Sequence, residues 1–140
     1  MKSVYPVIFT QTNDEKNTVL VEVPDLEILT EGFGMADAID MARDAIGLNG
    51  ITREDRGEEI KEPSSIGVIS NYRGTFAEQG ESIVSMVDID FVAYRRMIDN
   101  KTVRRNVTLP NWLNQEAEKA KINVSKVLQE ALMTKLGVYR

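Results

Sequence analysis

Hydrophobic and polar positions alternate along the first quarter of the chain. Tyr5, Val7 and Phe9 are separated by Pro6, Ile8 and Thr10, and the polar run Gln11–Asn17 turns the chain. Val19, Val21 and Val23 then alternate with Thr18, Leu20 and Glu22. Pro24-Asp25 ends that run, and a less regular apolar stretch follows over Leu26–Phe33. Period-two patterning rich in β-branched residues predicts an antiparallel meander with one buried face. The period then lengthens. Met35, Ala38, Ile39, Ala42 and Ile46 fall on one helical stripe, with Asp37, Asp40 and Asp44 on the other side. Asn49-Gly50 predicts the end of this helix, which can cover the sheet while its carboxylates face solvent.

Residues 51–81 carry weaker signals. Thr52–Gly57 fits one helical turn, Glu58–Ser65 with Pro63 reads as exposed loop, and Ile66–Ile69 as a short strand. Ile83–Val92 alternates again and would close the sheet. Ala93–Thr102 reads as a linker that begins with a short helix. Val103–Leu109 then alternates once more, ahead of two helical segments. The first starts at Pro110 and carries Leu113, Ala117 and Ala120 on one stripe. The second, capped by Asn123, places Val124, Val127, Leu128, Ala131 and Leu132 together. The expected class is α+β, with a β-β-β-α-β domain over 1–92, a linker over 93–102 and a β-α-α domain over 103–140.

Composition narrows the chemistry. The 140 residues are 42% hydrophobic, enough for a core, and contain neither Cys nor His. Disulfides, thiol nucleophiles, Ser-His catalysis and most transition-metal sites are thereby excluded. No run of 18 apolar residues exists to span a membrane, and the N-terminal stretch has no apolar signal core, so a cytoplasmic protein is expected. The net charge of -5 conceals a division: residues 1–94 hold 7 Lys+Arg against 18 Asp+Glu, and residues 95–140 hold 10 against 4. A basic tail suits nucleic acid and an acidic front is repelled by it, so the two parts should meet different partners.

One strand and two helices in under 40 residues cannot bury their own apolar surface. A symmetric dimer solves this by pairing the two strands antiparallel over four helices. Val107, Leu109, Leu113, Leu128 and Leu132 then form the shared core, and Arg104, Asn106 and Thr108 face outward in two copies. Arg105 conflicts with this scheme and snorkels at the strand start. A two-stranded ribbon fits the DNA major groove, where Arg pairs with guanine, Asn with adenine, and Thr meets a thymine methyl. The start of the second helix (Asn123, Val124, Ser125 and Lys126) offers free N–H groups and a positive dipole end to a DNA phosphate.

Residues 101–137, with the strand R-x-N-x-T-L-P, the Leu113/Ala117 helix and N-x-S-x-x-L ahead of A-L, resemble a ribbon-helix-helix domain of the Arc/MetJ repressor type. The usual Gly between the helices is replaced by Lys121 and Ile122. The front half, with E-G-F-G-M-A-D-A-I-D-M-A, K-E-P-S and V-D-I-D-F, resembles HicB-type antitoxins of type II toxin–antitoxin systems. That resemblance implies a partial RNase H-like N-terminal domain that binds and blocks a HicA-type, mRNA-cleaving ribonuclease toxin. It also implies a C-terminal domain that dimerises and represses the chain's own operon by binding operator DNA, within a higher heteromeric complex with the toxin.

On this reading the chain is no enzyme and needs no catalytic residue, metal or cofactor. The toxin-facing candidates are Glu22, Asp25, Glu27 and Glu31. Asp88 and Asp90 are an exposed strand face, although neighbouring carboxylates could hold Mg²⁺ in a nuclease. A ribbon-helix-helix repressor whose front domain senses a small molecule is the alternative. It lacks a phosphate-cradling Gly loop and a metal-ligand cluster.

Overall fold

In the computed structural model, which describes residues 2–70, 72–99 and 102–138, the strands are β1 (Lys2–Gln11), β2 (Thr18–Val23), β3 (Ile28–Phe33) and β4 (Glu81–Asp90). They form one antiparallel sheet in the order β3-β2-β1-β4. A one-turn 3₁₀ segment, Pro24–Leu26, separates β2 from β3 and accounts for the irregular apolar stretch there. Pro6 lies inside a central strand, where a missing N–H normally breaks the ladder. Thr12 N–H donates to Thr18 O at 3.0 Å, so even-numbered β1 residues turn their backbone groups toward β2 and odd-numbered ones toward β4. Pairing with β2 begins at Ile8, so Pro6 faces no acceptor on that side.

Helix α1 (Met35–Asp55) lies on one face of the sheet, and Ala38, Ala42 and Ile46 are buried with Tyr5, Val7, Phe9, Val19, Val21 and Val23. It does not stop at Asn49-Gly50. The stop is at Gly57, whose φ of +72° lets Gly57 N–H reach Glu54 O and Glu58 N–H reach Arg53 O. Gly47 and Gly50 are tertiary packing positions inside the helix. A Cβ on Gly47 would sit 2.5 Å from Tyr94 Cδ1, and one on Gly50 would sit 2.5 Å from Phe91 Cδ1. Those rings belong to helix α3 (Phe91–Ile98), which begins where the closing strand was expected to end. Phe91 and Tyr94 join the core, and Arg95 binds Ile51 O, Glu54 and Asp55. Residues 93–98 are therefore packed structure and no linker.

The expectation of a single buried sheet face is also corrected. Tyr5 through Thr10 are buried on both sides, because the segment between α1 and β4 crosses the second face. That segment contains helix α2 (Ile66–Ser70), where a short strand was expected, with Ile69 buried. Its passage across the sheet returns β4 antiparallel to β1.

The chain divides into two units, Met1–Ile98 and Asp99–Arg140. Asn100 and Lys101 of the expected linker, and Tyr139 and Arg140 of the expected tail, lie outside the described residues. The second unit contains helices α4 (Asn111–Lys119) and α5 (Val124–Leu136). Lys121 takes φ +56° between them, with Lys121 N–H bound to Glu118 O and Ile122 N–H to Ala117 O. Lys121 thus occupies the left-handed turn position that glycine favours. Residues 102–110 form no regular element in the single chain, so the expected Val103–Leu109 strand is unformed there.

Candidate partner-binding surfaces

The four acidic residues expected to face a toxin separate into two kinds. Glu22 and Asp25 are buried at 6% and 7% exposure and are occupied within the chain, so they cannot offer free carboxylates. Glu22 accepts from Thr75 N at 2.8 Å, Thr75 Oγ1 at 2.9 Å and Tyr72 OH at 3.3 Å. Asp25 accepts from Ser64 N at 2.8 Å and Ser64 Oγ at 2.6 Å, with Lys61 Nζ at 3.8 Å. Each carboxylate satisfies its lone pairs with donors from the segment that crosses the second sheet face, as buried charge requires. The Glu22 carboxylate raises the Tyr72 phenol above its ordinary pKa. Glu27 and Glu31 are exposed, Glu27 at φ +56° just before β3 and Glu31 on β3 itself.

Glu22 misled because it sits in the V-E-V alternation as an outward residue. It does point away from α1, but the second face is covered. Ser64, Tyr72 and Thr75 had no periodic signal, and only their side-chain chemistry in a polar loop could have marked them.

Five other carboxylates of the first unit, exposed or half-buried, are engaged within the chain. Asp37 accepts from Phe33 N at 2.8 Å, Asp40 lies 3.6 Å from Arg43, and Asp44 accepts from Tyr94 OH at 2.8 Å. Burial, and then the Asp44 carboxylate, push the Tyr94 phenol up to about 12. Asp88 takes Arg43 Nη2 at 3.1 Å and Lys2 Nζ at 3.5 Å, and the Arg43 hydrogen bond holds its pKa below the ordinary range. Asp90 accepts from Ala93 N at 3.1 Å, which caps α3 and likewise lowers its pKa. The pair is thus built into structural anchors: Asp88 is neutralised by two cations, and Asp90 is spent on a helix start.

The second unit has no buried residue in either of its helices. Val107 is 51% exposed, Leu109 38%, Leu113 41% and Leu132 51%, with Leu128 half-buried. Trp112 at 66%, Val127 at 52% and Leu136 at 70% extend this uncovered apolar surface. Arg104, Asn106 and Thr108 are exposed. Asn123 caps α5 by accepting from Lys126 N at 3.1 Å, and Val124, Ser125 and Lys126 make its exposed first turn.

Residues 5–133 match the HicB-like antitoxin family of bacterial toxin–antitoxin systems. The chain belongs to that family. No curated protein matches it. Among solved structures, a chain of a toxin–antitoxin complex from Streptococcus pneumoniae is 24% identical, with a TM-score of 0.56, over 96% of this chain and 99% of that one. The crystal structure of the Burkholderia pseudomallei antitoxin HicB is 21% identical, with a TM-score of 0.49, over 99% of both chains. The first likeness shows a shared fold for this HicB-like antitoxin. Among its described residues no helix is long and apolar enough to cross a membrane.

Proposed function

We propose that this HicB-like antitoxin neutralises a HicA-type ribonuclease toxin through its first unit and represses its own operon through its second, acting in the cytoplasm and catalysing nothing itself. On this reading the first unit is a partial RNase H-like domain and the second a ribbon-helix-helix dimer. The observation that carries the proposal is the contrast between the units. Residues 1–98 hold 9 Lys+Arg against 18 Asp+Glu around a full core, while residues 99–140 hold 8 against 4 and bury nothing in their helices.

An enzyme that grips RNA phosphates is cationic, so the acidic unit complements it and the basic unit does not. The uncovered Val107, Leu109, Leu113, Leu128 and Leu132 fit a second copy of the tail. In that dimer the alternation of residues 103–109 would carry Arg104, Asn106 and Thr108 into a DNA groove, with Asn123–Lys126 on phosphate. A gel-shift titration of the chain's own promoter fragment tests the second half. Retardation that competitor DNA of random sequence does not abolish is expected, and equal binding to both DNAs would refute operator recognition.

A further inference from the structure

We propose that the outer edge of β4, over residues 82–86, receives an extended segment of the cationic toxin as a fifth strand of the sheet. This rests on the toxin-neutralising reading above and names the contact through which it would act.

Backbone parity decides which β4 groups face outward. Odd-numbered β1 residues turn toward β4, and Tyr5, Val7 and Phe9 stand opposite Val87, Ser85 and Ile83. Odd-numbered β4 residues therefore bond β1, and Ser82, Val84, Met86 and Asp88 turn their N–H and C=O groups outward. The outward carbonyl of Asp88 is taken by Arg43 Nε at 3.1 Å. The outward backbone groups of Ser82, Val84 and Met86 have no hydrogen-bond partner among the described residues.

This edge lacks the usual guards. Natural edge strands are kept short or carry Lys, Pro or a bulge. β4 is 10 residues long, pairs with β1 without a bulge, and contains no Lys, Arg or Pro. Ile83 is 54% exposed on one face of the strand and Met86 41% on the other. The opposite edge, β3, is only 6 residues long, and its Phe33 N–H is already bound by Asp37.

Charge selects the occupant. Glu81, Asp88 and Asp90 make β4 an acidic strand. Antiparallel pairing with a second copy would set two units of 9 Lys+Arg against 18 Asp+Glu edge to edge, and such like charge repels. A strand bearing Lys or Arg is attracted instead, both by the acidic unit as a whole and by Glu81 at the strand start, and an enzyme that grips RNA phosphates is cationic enough to supply one. Main-chain bonds then supply affinity, and Ile83 and Met86 flank the added strand on its two faces.

Hydrogen exchange of the full-length chain, with and without an inactivated HicA-type toxin, tests this. Exchange at the Ser82, Val84 and Met86 amides should slow at least tenfold on toxin addition. Val84→Pro and Met86→Pro remove an outward N–H without touching the β1 ladder, so each should weaken toxin affinity roughly tenfold or more at an unchanged melting temperature. Toxin binding with unaltered β4 exchange and unaffected proline variants would overturn the edge while sparing the antitoxin reading. Protection that grows with chain concentration alone would overturn it in favour of a second copy. Failure of the unmutated chain to bind toxin would overturn both. If a proline variant does not fold, exchange on the unmutated chain decides.

Discussion

Truncating Leu132 tests whether the second unit is half of a dimer. Leu132 is 51% exposed on α5 in the single chain. Full burial of a Leu side chain is worth about 1.5–3 kcal/mol, so covering the exposed half gains about 1 kcal/mol per copy. A twofold interface contains the residue twice, and Leu132→Ala should therefore weaken the dimer by about 2 kcal/mol, which raises its dissociation constant roughly 30-fold. Any cavity left behind adds to this. Sedimentation equilibrium on residues 99–140, followed in parallel by helical circular dichroism on dilution, gives the constant. Gln129→Ala, exposed on the same helix and outside the apolar stripe, is the control and should change little. A fragment that stays helical as a monomer at micromolar concentration would refute the reasoning, as would equal effects of Leu132→Ala and Gln129→Ala.

Gly50→Ala should destabilise the first unit by about 1–2 kcal/mol in urea unfolding, because the new Cβ meets the Phe91 ring and overpacking outweighs the gain in helix propensity. Tyr94 yields a pH prediction. Its pKa is raised in the folded state to about 12, so its contribution to stability is complete below the unfolded value near 10 and disappears as pH climbs toward 12. Tyr94→Phe should flatten that alkaline limb, and an unchanged limb would contradict the assignment. In the DNA-binding reading, Arg104→Ala should relax base preference at two symmetric operator positions by about 1–3 kcal/mol each, whereas Lys126→Ala should lower affinity for all DNA alike. Gel shifts against permuted operators at several salt concentrations separate the two outcomes.

Local chemistry made much of this chain readable. The strands over Lys2–Phe33, the helix start near Met35, β4, and two tail helices with Pro110 and Asn123 at their starts all follow from period and capping. The sequence failed where a distant residue decided the outcome. Asn49-Gly50 has the look of a helix stop, yet the small side chain at Gly50 serves the approach of Phe91 from α3. Ala93–Thr102 is polar enough for a linker, yet Tyr94 and Arg95 tie its first part to α1. Glu22 and Asp25 looked like surface acids because their hydrogen-bond partners lie 39 to 53 residues further along the chain. The outward β4 backbone was equally invisible to side-chain patterning. It emerged only once the Thr12–Thr18 bond fixed the parity of the sheet.

The central claim is that this chain silences a ribonuclease toxin through its acidic unit. Titrating a HicA-type toxin's cleavage of an RNA substrate with the full-length chain tests that most directly, with Arg104→Ala and Lys126→Ala chains run in parallel. Cleavage should fall to zero at a fixed molar ratio, with the same endpoint for all three proteins, because both substitutions lie in the basic unit. Cleavage that continues at saturating chain, or an endpoint that shifts with either substitution, would contradict the account.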